Sequence, residues 1–154
     1  MARRFRWVAV GLVLMLISAS LAGCGLGQSG QDTQNDAVAM ADEHTMPQHV
    51  QTAPRVVRDA YRFTAANAEE LKQIPCYCGC GGMGHMSNYH CFWQENGQVD
   101  THALGCGICV DIAQDVHRGL ARGQSLAEIR AQVDADYSRF GPPTDTLPVA
   151  DAAY

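Results

Sequence analysis

Residues 106–140 read CGICVDIAQDVHRGLARGQSLAEIRAQVDADYSRF, and this stretch decides the fold class. Ile108, Ile112, Val116 and Leu120 recur every fourth residue, which gathers them on one face of an α-helix. Gly123 stands where that helix should end. Ser125-Leu126-Ala127-Glu128 then opens a second helix with a capping box, in which serine and glutamate satisfy each other's free backbone donors. Leu126, Ile129, Val133 and Tyr137 form its apolar stripe, with Phe140 just beyond. Strand signals are weak throughout.

Upstream, Pro54 suits the opening turn of another helix. Val57, Tyr61, Thr64, Ala68 and Leu71 keep helical spacing, and Pro75 stops the run. Short connections favour antiparallel neighbours, so the expected fold is all-α. It is a small three-helix bundle over residues 54–140, with a long Cys/Gly-rich loop between the first and second helices. A loop of this length inside a small domain calls for an organising centre.

The loop supplies one. It opens with PCYCGCGGMGHMSNYHC at 75–91, holding Cys76, Cys78, Cys80 and Cys91, and Cys106 and Cys109 follow at the mouth of the second helix. Met83, His85, Met86 and His90 are interleaved among the first four. Thiolate and thioether ligands select soft ions such as Cu(I) or Zn(II) over hard cations. Six cysteines exceed the four of one structural zinc site, which favours Cu(I) in a multi-copper thiolate cluster or two adjacent sites. On this reading the six cysteines are ligands, with His85, His90, Met83 and Met86 as auxiliary ones.

Two other chemistries fit the same residues. Six cysteines can form three structural disulfides in a small exported domain. Among Cys76, Cys78 and Cys80 at most one bond can form internally, so at least one must reach Cys91, Cys106 or Cys109. Alternatively Cys106 and Cys109, a Cys-x-x-Cys at a helix start, are a redox-active pair, since the helix N-terminus favours the thiolate.

Pro75–Cys80, with Gly84-His85, Cys91-Phe92 and the later Cys-x-x-Cys, resembles the PCYCGC-motif family of bacterial lipoproteins. That family is named for a motif rather than an activity, so the resemblance implies location and architecture but no reaction. More loosely, 106–141 is similar to the helical Cys-x-x-Cys domain of the cytochrome c maturation thiol reductases. The four upstream cysteines depart from that pattern.

The N-terminus agrees with export. MARRFRW carries three arginines, an apolar run follows from Val8 to Ala22, and Leu21-Ala22-Gly23-Cys24 resembles a lipobox. The apolar run is short for a membrane span. The expectation is a signal peptide over 1–23, a diacylglyceryl lipid on Cys24, and a protein anchored on the extracytoplasmic side of the cell membrane. Two acyl chains suffice for stable anchoring. Residues 24–53 are polar and read as a flexible tether, and 141–154 as a disordered tail. Met40, His44, Met46 and His49 give the tether a metal-scavenging composition.

The full chain has a formal net charge of −5, and loss of Arg3, Arg4 and Arg6 with the leader takes it to −8. An acidic chain without basic clusters excludes nucleic acid as the expected partner. The partners expected are the membrane and another extracytoplasmic metal or thiol protein. No serine nucleophile arrangement, phosphate-cradling loop or dinucleotide fingerprint is present. Of the remaining residues, His102 is placed to cap or line the site, His117 reads as a solvated face, and Phe92 and Trp93 as a hydrophobic plug. Asp111 and Asp115 suit the positive end of a helix.

Overall fold

The computed structural model describes residues 38–149. They form five α-helices: α1 (Gln48–Gln51), α2 (Arg55–Ala66), α3 (Ala68–Leu71), α4 (Gly107–Ala121) and α5 (Leu126–Tyr137). A single 3-10 turn at Glu43–Thr45 precedes α1, and three more, at Cys80–Met83, Tyr89–Cys91 and His102–Leu104, lie between α3 and α4. Among the described residues there is no strand, only an isolated antiparallel bridge between Trp93 and Val99. No described helix is long and apolar enough to cross a membrane.

The long helix α4 is the centre of the molecule and packs against both α2 and α5. Cys109, Ile112, Ala113 and Val116 are buried along it, facing Ala60, Tyr61, Phe63 and Thr64 of α2 and Ile129 and Val133 of α5. Burial of each such aliphatic or aromatic side chain stabilises the fold by about 1.5–3 kcal/mol. The Ser125–Glu128 capping box is formed as its spelling requires: Glu128 N–H donates to Ser125 Oγ at 3.3 Å and Ser125 N–H to Glu128 Oε2 at 2.9 Å.

The expected continuous first helix is two. Asn67, at φ −127° and ψ 46°, interrupts it between α2 and α3. Its side-chain amide donates to the carbonyls of Phe63 at 2.7 Å and Ala39 at 2.8 Å. A short polar side chain that bonds the backbone competes with the helix, and here it wins. Leu71 and Ile74 nevertheless stay fully buried beyond the break.

Residues 38–53, expected within the tether, lie folded on α2. Met46 and Val50 are buried, four residues apart across the start of α1, and Ala41 exchanges hydrogen bonds with Arg62. Glu43 pairs with Arg58 at 3.1 Å. Polar composition concealed this apolar pair. Residues 141–149, expected as tail, contain no helix but bridge the loop: Thr144 is buried and exchanges 3.0 Å hydrogen bonds with the Cys76 backbone. The expected signal peptide, Cys24 and residues 150–154 lie outside the described residues.

Candidate metal centre

The loop that carries the first four cysteines is fastened at both ends before any sulfur is considered. Asn88 N–H donates to the Ile74 carbonyl at 2.8 Å, and its side chain donates to the Cys109 carbonyl at 3.1 Å. Tyr61 Oη donates to the Asp100 carbonyl at 2.7 Å. Phe92 is fully buried edge-on to Tyr61, and Trp93 Nε1 donates to Thr64 Oγ1 at 3.0 Å. The expected hydrophobic plug is therefore in place and faces α2. Gly79, at φ 84°, turns the chain between Cys78 and Cys80 in a conformation that a side chain would strain.

These constraints bring the six cysteines together. Cys76 Sγ lies 3.5 Å from Cys78 Sγ and 3.6 Å from Cys109 Sγ, while Cys78 and Cys109 are 3.5 Å apart. Cys80 and Cys91 are 3.6 Å apart. His102 joins them, with Nε2 3.4 Å from Cys78 Sγ. Three four-residue donor sets have all ligand atoms within 4.8 Å of one another: Cys76/Cys78/Cys91/Cys109, Cys78/Cys80/Cys91/His102 and Cys78/His102/Cys106/Cys109.

All six thiols are free. Their separations are far from the roughly 2.05 Å of a disulfide. Two thiolates on a tetrahedral ion at about 2.3 Å each stand about 3.8 Å apart, close to the spacings here. The donor set therefore fits a soft metal ion in both chemistry and dimensions.

Proton sharing among the sulfurs points the same way. Hydrogen bonding from Cys109 holds Cys76 far below the usual thiol range, and Cys91, against burial, lowers Cys78 to about 5. Cys91 and Cys109 are pushed up in turn, as the donors in these contacts. Four of the sulfurs, on Cys76, Cys80, Cys91 and Cys109, are buried. A buried thiolate without a counter-charge is costly, and a cation among them removes that cost.

Other expected ligands lie outside the sulfur cluster. His90 accepts from Met86 N–H at 3.2 Å through Nδ1 and pairs with Glu95 at 2.7 Å through Nε2, so both nitrogens are engaged elsewhere. Met83 and Met86 are exposed and line a pocket of about 550 Å³ with His85 and His90. His85 stands between, its ring edge-on to His102 at 5.3 Å. His117 is not a solvated face: its ring packs on Phe63 at 4.9 Å. The nitrogen donor of the cluster is His102, which the sequence marked only by its place four residues before Cys106.

The redox alternative needs a reactive thiolate at the start of α4. Cys106 is the residue capping that helix, but burial pushes its thiol up, and its partner Cys109 is fully buried. Neither property suits an attacking thiolate.

The fold and site define a small helical domain with a convergent cysteine cluster able to hold a metal ion. The chain belongs to the PCYCGC family, described as "Protein of unknown function with PCYCGC motif", whose family model matches residues 13–149. No curated protein and no solved structure matches the chain, and nothing in these comparisons supports the looser resemblance to the thiol reductases.

Proposed function

We propose that this protein is a membrane-anchored, extracytoplasmic lipoprotein that binds a soft metal ion, Cu(I) ahead of Zn(II), for storage, detoxification or delivery to another extracytoplasmic protein. The observation that carries the metal reading is the convergence of six cysteine sulfurs and His102 from three separated segments into overlapping donor sets, each with its ligand atoms within 4.8 Å, in which Cys76, Cys78 and Cys109 stand 3.5–3.6 Å apart and Cys80 and Cys91 3.6 Å. The lipobox-like Leu21-Ala22-Gly23-Cys24 supports the anchor. Copper is favoured because the three donor sets overlap. Cys78 belongs to all of them, as a thiolate bridging two ions would, whereas one zinc ion would employ only four donors.

The test is elemental analysis and thiol counting on the full chain, extracted from membranes and purified anaerobically. Copper bound with six thiols titratable in denaturant is the expected result. Three disulfides and no metal uptake after reduction would overturn the proposal. Labelling with a radioactive fatty acid tests the anchor, and Cys24→Ser should abolish it.

A further inference from the structure

The pocket beside the cluster has a composition that the resident site does not explain. Its wall includes Met83, His85, Met86 and Asp100. Met83 and Met86 are 60 % and 48 % exposed, so two polarisable thioethers stand in solvent on either side of a histidine that is not. The His85 side chain is only 12 % exposed. Its Nδ1 is buried and has no hydrogen-bond partner. The Asp100 carboxylate stands 3.6 Å from Nε2, which favours the proton there and leaves the lone pair on Nδ1. On its far side His85 meets His102, which in turn touches Cys78, a sulfur on the half-buried side of the cluster.

We infer that this pocket is a second, weaker soft-metal site, the port through which Cu(I) enters and leaves the thiolate cluster. The inference rests on the metal-binding function proposed above. Met83 and Met86 receive the ion, the free lone pair of His85 takes it inward, and Cys78 with His102 accepts it. Thioethers and imidazole are neutral and bind Cu(I) less tightly than thiolates, so the ion moves down a gradient of ligand strength. No electron is transferred. The ion remains Cu(I), the Met83, Met86 and His85 ligands return to their free forms, and any thiol that binds releases its proton to solvent. The Asp100 backbone and carboxylate hold the parts in register: its N–H donates to Phe92, its carbonyl accepts from Tyr61 and its Oδ1 accepts from His102 N–H.

The experiment is stopped-flow transfer of Cu(I) from its bicinchoninate complex to the reduced full chain, for the parent and the M83L/M86L double variant. Both positions are exposed, so leucine leaves the fold intact, and circular dichroism checks it. With copper limited to what the thiolate cluster alone takes up, the variant is expected to load roughly tenfold more slowly, the lower end of the range over which losing a residue around a metal site acts, with the same final copper content. An unchanged rate overturns the port. A lower final content also overturns it, because the methionines would then be resident ligands. A parent that takes up no Cu(I) overturns the metal-binding function itself and the port with it. As a second readout, copper added to a filled cluster should shift the ε-methyl NMR signals of Met83 and Met86. Unmoved signals contradict the weaker site.

Discussion

Cys78 is the residue on which the site turns, because it is common to all three donor sets and carries the thiol lowered to about 5. Cys106 belongs to one set and has its thiol raised by burial. Cys78→Ser should therefore remove most bound metal, while Cys106→Ser retains the set formed by Cys76, Cys78, Cys91 and Cys109. Elemental analysis of the two variants checks this, and equal losses would contradict it. Gly119 offers a test of packing independent of the metal. A Cβ there would lie 2.6 Å from Ile129 Cγ1 and 2.8 Å from Cδ1, where α4 crosses α5. Gly119→Ala should destabilise the protein by about 1–3 kcal/mol in denaturant melts, since overpacking forces Ile129 off its rotamer. The cysteines were legible one by one in the sequence, and His102 only as a residue placed to cap or line the site, not as the nitrogen donor beside Cys78. Its proximity to Cys78 depends on the turn at 102–104 and on the hydrogen bond from its own N–H to Asp100 Oδ1, neither of which has a spelling.

Among the elements, α5 was the most readable, and its start can be tested alone. Ser125→Ala removes the acceptor for the Glu128 N–H, and such a loss costs about 1 kcal/mol. The denaturation midpoint should fall while copper content is unchanged, because no residue of α5 belongs to a donor set. The box also adds an acid sensitivity. Hydrogen bonding to Ser125 lowers the Glu128 carboxyl, so its stabilisation is present above the ordinary glutamate value and fades as the pH falls below it. Helix α2 was legible in its stripe but not in its end, since the break at Asn67 depends on a carbonyl of Ala39 reached only in the folded state. The Cys/Gly loop was legible as a loop because its period vanishes. Its path was not, because it is held by contacts from Tyr61, Cys109 and Thr144, which are distant in sequence.

For the whole molecule, pH acts through two groups of residues with opposite consequences. Copper uptake at a fixed free concentration should decline steadily as the pH falls, because Cys91, Cys106 and Cys109, whose thiols are raised, must each release a proton to bind. A pH titration of bound copper checks it. At the alkaline end, burial raises the phenols of Tyr61, Tyr77 and Tyr137 above their ordinary value. Raised acids favour the folded state in full below the unfolded value near 10, and that advantage is lost as the pH climbs past it. Thermal stability should accordingly fall above about pH 10, together with the 2.6 Å hydrogen bonds from Tyr77 to Asp134 and from Tyr137 to Asp115.

The sequence by itself determined the all-helical class, the ends of α4 and α5 and the soft character of the donors. Helical period, capping and sulfur chemistry are local properties carried by neighbouring residues. Only the tertiary structure decided which sulfurs meet, that His102 joins them while His90 turns to Glu95, and that residues 38–53 and 141–149 fold onto the domain. Those outcomes are set by ångström-scale distances between segments tens of residues apart. Such distances arise from packing of the loop between α2, α4 and Thr144, and no spacing along the chain encodes them.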